Sequence, residues 1–149
     1  MHALRGLLVA TRCHRANALP LLLEALAAGV PVAFGHDCVM DPWYSLGSGD
    51  MLEVAHMGLH VAQMTSQAAM RQCFDAVTTT PARILGLEGY GLDVGCRADL
   101  VLLQARDVVE ALRLRAHRLL VLRAGRVVAR SEPRSEERRV GKECLRLCR

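Results

Sequence analysis

The feature that most constrains the fold is an apolar helix that leads directly into a short apolar strand with polar residues at its end. Residues 21–28 predict a helix, and Gly29 fits the left-handed position that ends many helices. Residues 30–34 are apolar and include two valines, as in a strand buried on both faces. Gly-His-Asp-Cys follows at 35–38. This order is typical of (β/α)8 barrels, whose functional groups lie at the C-terminal ends of the strands.

The rest of the chain is helical first and rich in β-strands last. A loop at 39–49 leads to a helix that begins at Asp50, with Glu53 as capping-box partner. The further predicted elements are a helix at about 66–77, a short helix capped by Thr80, strands at 92–95 and 98–103, a helix at 107–114, and a hairpin of 119–123 and 126–129 that turns at 124–125.

Four segments follow from these patterns. We expect an irregular or mis-joined N-terminus at 1–20, an α/β segment at 21–89, a mostly β segment at 90–133, and a foreign tail at 134–149. The tail reads RSEERRVGKEC at 134–144 and resembles a translated sequencing-library adapter. It also holds the only lysine of the chain. The alternative is an ordinary solvated, charged tail, and neither interpretation gives the segment a function.

Composition excludes several classes of protein. Of the 149 residues 52% are hydrophobic, so the chain is not mainly disordered, yet it is too short for a complete barrel. Most of the net charge of +4 lies in 134–149, and the nearly neutral remainder predicts no nucleic-acid partner. The cysteines lack zinc-finger spacing, and there is neither a secretory signal nor an apolar run long enough to span a membrane. A cytoplasmic protein with reduced thiols is therefore expected.

Asp37 is the main candidate for chemistry because a carboxylate at the end of a barrel strand can bind a divalent metal or move a proton. The alternative is a loop aspartate that caps backbone amides. His36 alternates with Asp37 along the strand and is predicted to be a hydrogen-bonded structural histidine. His56 and His60 stand at i, i+4 on a helix, a spacing that can bind zinc, but structural or interface roles are favoured.

Longer motifs resemble the cytosine deaminase branch of the amidohydrolase superfamily. The segment FGHDCVMDPWYSLG at 34–47 resembles the loop after the last barrel strand of that branch, and MLEVAHMGLH at 51–60 continues the match. PARILGL at 81–87 and GCRADLVLL at 95–103 are similar to motifs shared by many amidohydrolases. The resemblance covers about residues 21–129. It implies an α/β fold, the C-terminal part of a metal-dependent (β/α)8 (TIM) barrel plus part of a small β-sandwich domain. On this resemblance, residues 21–89 hold the last barrel strand and the helices that follow it, and residues 90–133 belong to the small β-domain.

The resemblance also implies roles for three residues. Asp37 matches the aspartate that binds the single catalytic metal, iron or zinc, and accepts a proton from the attacking water. Trp43 matches the aromatic wall beside the substrate ring, the alternative being a buried anchor for the loop. Cys38 stands where cytosine deaminases commonly carry a second aspartate, so it either contacts a different heterocycle or only packs.

The metal site of the family is incomplete in this sequence, because no His-x-His occurs anywhere in the chain. One carboxylate cannot hold a catalytic metal. We therefore predict a fragment of a hydrolase that deaminates cytosine or a related heterocycle, inactive as this chain alone and binding no metal stoichiometrically. The alternatives are another cyclic amidohydrolase or deaminase of the superfamily, and a non-catalytic interaction module that uses the helix at 51–64. A small heterocyclic substrate and possible homo-oligomers are the expected partners.

Overall fold

The computed structural model describes residues 7–10, 18–42 and 45–135. It is a mixed α/β structure. In chain order the elements are β1 (Leu7–Ala10), α1 (Ala18–Ala27), β2 (Val32–Gly35), α2 (Met51–Val61), α3 (Gln67–Asp75), α4 (Thr79–Ile84), β3 (Leu100–Leu103), α5 (Val108–Leu114), β4 (Arg118–Arg123) and β5 (Arg126–Arg130). Within these ranges no helix has both the length and the apolar character that a membrane span needs.

The strands form two separate sheets. β1 pairs with β2 in parallel, from Leu7 opposite Val32 to Ala10 opposite Gly35. β3, β4 and β5 form an antiparallel sheet in that order. Parallel strands need a crossover connection, and α1 supplies it between β1 and β2.

The core lies around β2, against which α1, α2 and α4 pack, while α3 packs on α2. Val32, Ala33 and Phe34 are all buried, so this strand is covered on both faces as its sequence predicts. α5 follows β3 in the chain but packs on α2 and α3, and its Leu112 is completely buried in the same core. The helical part and the β-rich part are therefore joined through α5.

Several predicted local features are confirmed. Asp50 begins α2 and its carboxylate accepts hydrogen bonds from two first-turn amides, at 2.8 Å and 3.3 Å. Asp107 caps α5 in the same way, at 2.8 Å. The β4–β5 hairpin turns at Ala124 and Gly125, which both have positive φ, as a two-residue type I′ turn requires. Gly29 has φ +70° just after α1.

The predicted irregular start differs from the structure at two stretches of residues 1–20. Leu7–Ala10 forms β1, and α1 begins at Ala18. A four-residue strand has too little periodicity to be recognised alone, since its hydrogen bonds come from β2, more than twenty residues further along the chain.

Two further predictions are wrong. Residues 92–95 form no strand but an exposed loop, closed by a hydrogen bond from the Cys96 amide to the Asp93 carbonyl. Thr80 does not cap α4. The helix begins at Thr79, and Thr80 lies inside it, buried. Thr78 precedes the helix, but its hydroxyl donates back to the Phe74 carbonyl at 2.8 Å, so it closes α3 instead.

Candidate functional site

Asp37 lies just beyond the C-terminal end of β2. Its side chain is exposed, and its backbone has φ +69°, the left-handed region that aspartate tolerates better than most residues. Among the described residues its carboxylate makes no hydrogen bond and no ion pair. That observation disfavours the alternative in which Asp37 merely caps backbone amides. An exposed carboxylate on a strained residue at a strand end is available to an external ligand.

His36 closes the loop that carries Asp37. Its Nδ1 lies 2.8 Å from the Cys38 carbonyl oxygen, and its Nε2 lies 3.1 Å from the Gly49 amide nitrogen. A carbonyl can only accept and an amide can only donate, so the neutral Nδ1–H tautomer satisfies both contacts. The prediction of a hydrogen-bonded structural histidine is confirmed. The ring ties the start of the loop to its end, thirteen residues later.

Gly47 lets the two arms of this loop come together. A Cβ atom there would collide with the Cys38 carbonyl oxygen, and it would lie 2.8 Å from His36 Cε1 and 2.9 Å from the Val39 Cα. Backbone atoms cannot move aside without opening the loop, so only glycine fits at this position. The sequence marks Gly47-Ser48-Gly49 as loop residues, but it does not reveal that the first of them is in backbone contact with residues next to Asp37.

Of the other two predicted site residues, Cys38 lies within the described residues and Trp43 does not. Cys38 is half-buried and directly follows Asp37. The described part of the predicted site therefore consists of His36, Asp37 and Cys38, which follow one another at the end of β2.

The described residues do not assemble a metal centre. Nowhere in the three described ranges do three or more histidine, cysteine, aspartate or glutamate side chains gather where they could hold an ion. A catalytic divalent ion needs about three protein ligands and an open position. Asp37 fits the role of one such ligand, but the described part of the chain does not supply the rest.

An ion pair links the loop to the antiparallel sheet. Both guanidinium nitrogens of Arg118, on β4, bind the carboxylate of Asp50, one of them at 2.8 Å. Burial alone would raise the pKa of Asp50, but the bond and charge of Arg118, with the amides of Glu53 and Leu52, hold it below its usual value. Asp50 directly follows Gly49, the residue that His36 holds. Sequence reasoning missed this pair because its members are 68 residues apart.

His56 and His60 lie away from this loop, on α2. Their Nε2 atoms are 3.2 Å apart, and His56 Nδ1 lies 3.0 Å from the Leu112 carbonyl oxygen of α5. The predicted structural role is confirmed for His56, which joins two helices. Neither residue comes together with Asp37 in a group of metal-ligating side chains in the described structure.

Known proteins similar to this chain are amidohydrolases. The sequence model of the amidohydrolase family matches residues 6–129. Among curated proteins, pterin deaminase from Rhizobium rhizogenes is 40% identical over 126 residues, 82% of this chain. N-isopropylammelide isopropyl amidohydrolase from a Pseudomonas species is 30% identical over 112 residues, 74% of this chain. In both cases the chain spans about 28% of the length of the relative.

Solved structures agree with the sequence relatives. A 5-methylcytosine deaminase from Klebsiella pneumoniae, crystallised with 5-fluorocytosine, superposes with a TM-score of 0.71 at 37% identity. It covers 76% of this chain, and 28% of that protein is matched. N-isopropylammelide isopropylaminohydrolase from Burkholderia multivorans superposes with a TM-score of 0.70 at 40% identity, covering 74% of this chain and 28% of that protein. The match over residues 6–129, with these relatives, shows that the chain belongs to the amidohydrolase family, hydrolases that act on C–N bonds.

Proposed function

We propose that this chain forms the C-terminal part of a hydrolase that deaminates cytosine or a related nitrogen heterocycle. The observation that carries the proposal is the placement of Asp37: exposed, in a left-handed conformation, immediately after a parallel strand buried on both faces. Barrel enzymes carry their catalytic groups at that end of their strands. Relatives named as deaminases of 5-methylcytosine and of pterin support the reaction class.

Asp37 is the residue that this chain would contribute to a metal site and to proton transfer. Members of the superfamily generally use a divalent metal, iron or zinc in the cytosine deaminase branch. The described residues do not fit such an ion by themselves, because no second and third ligand accompany Asp37 there. The chain also matches only 28% of the length of its relatives. We therefore expect no deaminase activity and no stoichiometric catalytic metal from this chain alone.

Cys38 and Trp43 are the proposed substrate contacts. A thiol is a weaker hydrogen-bond acceptor than a carboxylate and carries no charge at neutral pH, so Cys38 favours a ring other than cytosine. Indole offers a flat apolar face on which a heterocycle can stack. The relatives named for ammelide and pterin substrates support this second candidate, another cyclic amidohydrolase or deaminase of the superfamily.

A non-catalytic interaction module is less well supported. The apolar stripe of α2, which that hypothesis offers to a partner, is used inside the chain itself. Leu52, Val54, Ala55 and Leu59 are all buried in the core, and of the large apolar residues of α2 only Met57 and Val61 are exposed. The same sequence pattern is therefore explained by internal packing.

A chimera tests the enzyme proposal. The matched 28% of the Rhizobium rhizogenes pterin deaminase would be replaced by residues 6–129 of this chain, and ammonia release would be measured with cytosine, 5-methylcytosine, pterin and N-isopropylammelide. We expect activity from the chimera and none from this chain alone. Asp37→Asn should lower kcat/KM at least about a thousandfold, because it removes a metal ligand and a proton acceptor. Asp93→Asn, in an exposed turn, is the matched control.

Two outcomes would contradict the proposal. A folded chimera that keeps its activity after Asp37→Asn would remove Asp37 from the site. If the chain released ammonia on its own, it would already contain a complete catalytic site, contrary to the proposal. Cys38→Asp serves as the test of specificity, and a shift of preference toward cytosine is expected. The coding DNA upstream of Met1 provides an independent check, since a His-x-His encoded there supports the enzyme over the interaction module.

A further inference from the structure

The histidine pair on α2 has a geometry that packing alone does not require. His56 and His60 are one turn apart, with ring centroids 4.7 Å apart, an angle of 72° between the ring planes, and Nε2 atoms separated by 3.2 Å. The Leu112 carbonyl, 3.0 Å from His56 Nδ1, can only accept, so the proton of neutral His56 lies on Nδ1. The Nε2 lone pair of His56 therefore faces His60, whose Nε2–H donates to it.

We propose that His56 and His60 bind a divalent transition-metal ion, such as Zn²⁺, Ni²⁺ or Cu²⁺, through their two Nε2 atoms. At Nε2–metal distances of about 2.0–2.1 Å, a separation of 3.2 Å gives an N–metal–N angle of roughly 100–106°, close to a tetrahedral angle. The ion lies to one side of the line between the two nitrogens, and the proton on Nε2 of His60 moves to Nδ1 so that the Nε2 lone pair can bind it. Because the rings already stand at ligand spacing, little side-chain freedom is lost on binding.

The Leu112 carbonyl holds the first ligand in place. Metal-binding imidazoles typically donate their other N–H to a carbonyl or carboxylate, which fixes the tautomer and the plane of the ring. His56 has this arrangement before any ion is present, and Leu112 is itself completely buried. The carbonyl oxygen comes from α5, so an ion at this site would strengthen a contact between α2 and α5.

The surroundings leave room for the remaining ligands. The pair opens onto a cavity of about 420 Å³, enough for several waters at about 30 Å³ each. Imidazole nitrogens suit zinc, copper and nickel, and thioether sulfurs suit copper in its reduced state. The charge of Arg113 weakens the binding of a cation. The lining side chains are His56, Leu59, His60, Gln63, Met64, Thr65, Met70 and Arg113.

This site is separate from the catalytic centre proposed above. Asp37 follows β2, whereas the histidine pair lies on α2 beside α5, and no group of three metal-ligating side chains in the described ranges joins them. With two protein ligands completed by water, the site is expected to bind its ion in the micromolar range and to exchange it freely. This proposal departs from the sequence-based prediction that the chain alone binds no metal stoichiometrically. It does not depend on the proposed deaminase function.

Calorimetric titration of the full chain with Ni²⁺ at pH 7.5 tests the proposal. His60→Gln should weaken binding about tenfold or more, because a single imidazole lacks the high effective concentration of a second ligand. His117→Gln, which removes an imidazole elsewhere in the chain, is the matched control and should bind as the wild type does. Arg113→Gln should tighten binding, because it removes a positive charge from the cavity. Asp37→Asn should leave the affinity unchanged.

Two further measurements distinguish loss of metal binding from loss of folding and identify the ligands. Thermal unfolding without metal shows whether His60→Gln still folds, which is expected because His60 is exposed. Ring resonances of His56 and His60 should shift together on adding Zn²⁺, while those of His117 stay in place. Equal Ni²⁺ affinity for the wild type and a folded His60→Gln chain would overturn the proposal, as would a Zn²⁺ titration that moves neither ring.

Discussion

Gly58→Ala tests the packing of α2 on β2, which places the strand end that carries Asp37. Gly58 lies in the middle of α2. A Cβ atom there would lie 2.6 Å from Cε2 and 3.2 Å from Cδ2 of the Phe34 ring, and 3.3 Å from the Cys73 sulfur. Both neighbours are buried, Phe34 at 4% exposure and Cys73 at 0%. Neither can turn outward to make room.

Two opposing effects decide the sign of this substitution. Alanine is favoured over glycine inside a helix by about 1 kcal/mol. Carbon atoms prefer separations of about 3.5–4.0 Å, so the ring or the helix must retreat by roughly 1 Å, and overpacking of this kind costs about 1–3 kcal/mol. Because the Phe34 ring is rigid and enclosed, we expect the larger cost to prevail. The variant should lose about 1–2 kcal/mol of unfolding free energy.

Urea denaturation followed by circular dichroism measures the change. Exposed Gln72 of α3 supplies the reference, since comparing Gln72→Ala with Gln72→Gly reports the helix preference without the clash. In a Phe34→Leu background the ring is gone, so Gly58→Ala should become neutral or stabilising, and the difference gives the coupling. A Gly58→Ala chain that is more stable than the parent, by as much as the Gln72 pair indicates, would refute the reasoning.

Three further predictions concern charge, thiol chemistry and capping. Asp50→Asn and Arg118→Met should show a coupling of about 0.5–1 kcal/mol in a urea double-mutant cycle, since the pair is partly exposed. Folding lowers the pKa of Asp50, so this coupling is fully present at a pH above the unfolded pKa of 3.8 and is lost as the pH falls through the lower folded pKa. A coupling that does not decline as the solution is acidified contradicts the assignment. Burial raises the pKa of Cys73 to about 12, so iodoacetamide at pH 8 should modify half-buried Cys38 much faster than Cys73 in the native chain. Mass spectrometry measures the two rates, and equal rates would contradict the burial of Cys73. Asp107→Ala should cost about 1 kcal/mol on urea denaturation and Asp107→Asn only a few tenths, whereas equal losses would exclude capping.

Features that depend on neighbouring residues could be predicted from the sequence. Asp50 and Asp107 cap helices because their carboxylates reach amides two or three residues ahead, and such short-range bonds leave a clear pattern. The hairpin turn at 124–125 has the same local origin. The buried strand β2 was recognised because burial on both faces demands a continuous apolar run.

Features that depend on distant partners could not be predicted. β1 is a strand because β2 lies beside it. Residues 92–95 are not a strand because no strand of the described structure pairs with them, although both segments are short and mostly apolar. The bond between Arg118 and Asp50 joins residues 68 positions apart. Of the candidate site, the residue types and their place after β2 were predictable, whereas the contact of Gly47 with the Cys38 backbone appears only in three dimensions.

The antiparallel sheet stabilises the loop of the candidate site, although it supplies no side chain to the site itself. Arg118 of β4 holds Asp50, and Asp50 follows the glycine whose amide donates to His36. His36 in turn is bonded to the backbone of Cys38, so Asp37 lies between two residues that are both held. The backbone of Asp37 is therefore held in place while its carboxylate oxygens remain available. That arrangement supports the proposed role of Asp37 as a ligand, because its neighbours, and not its own hydrogen bonds, fix its backbone.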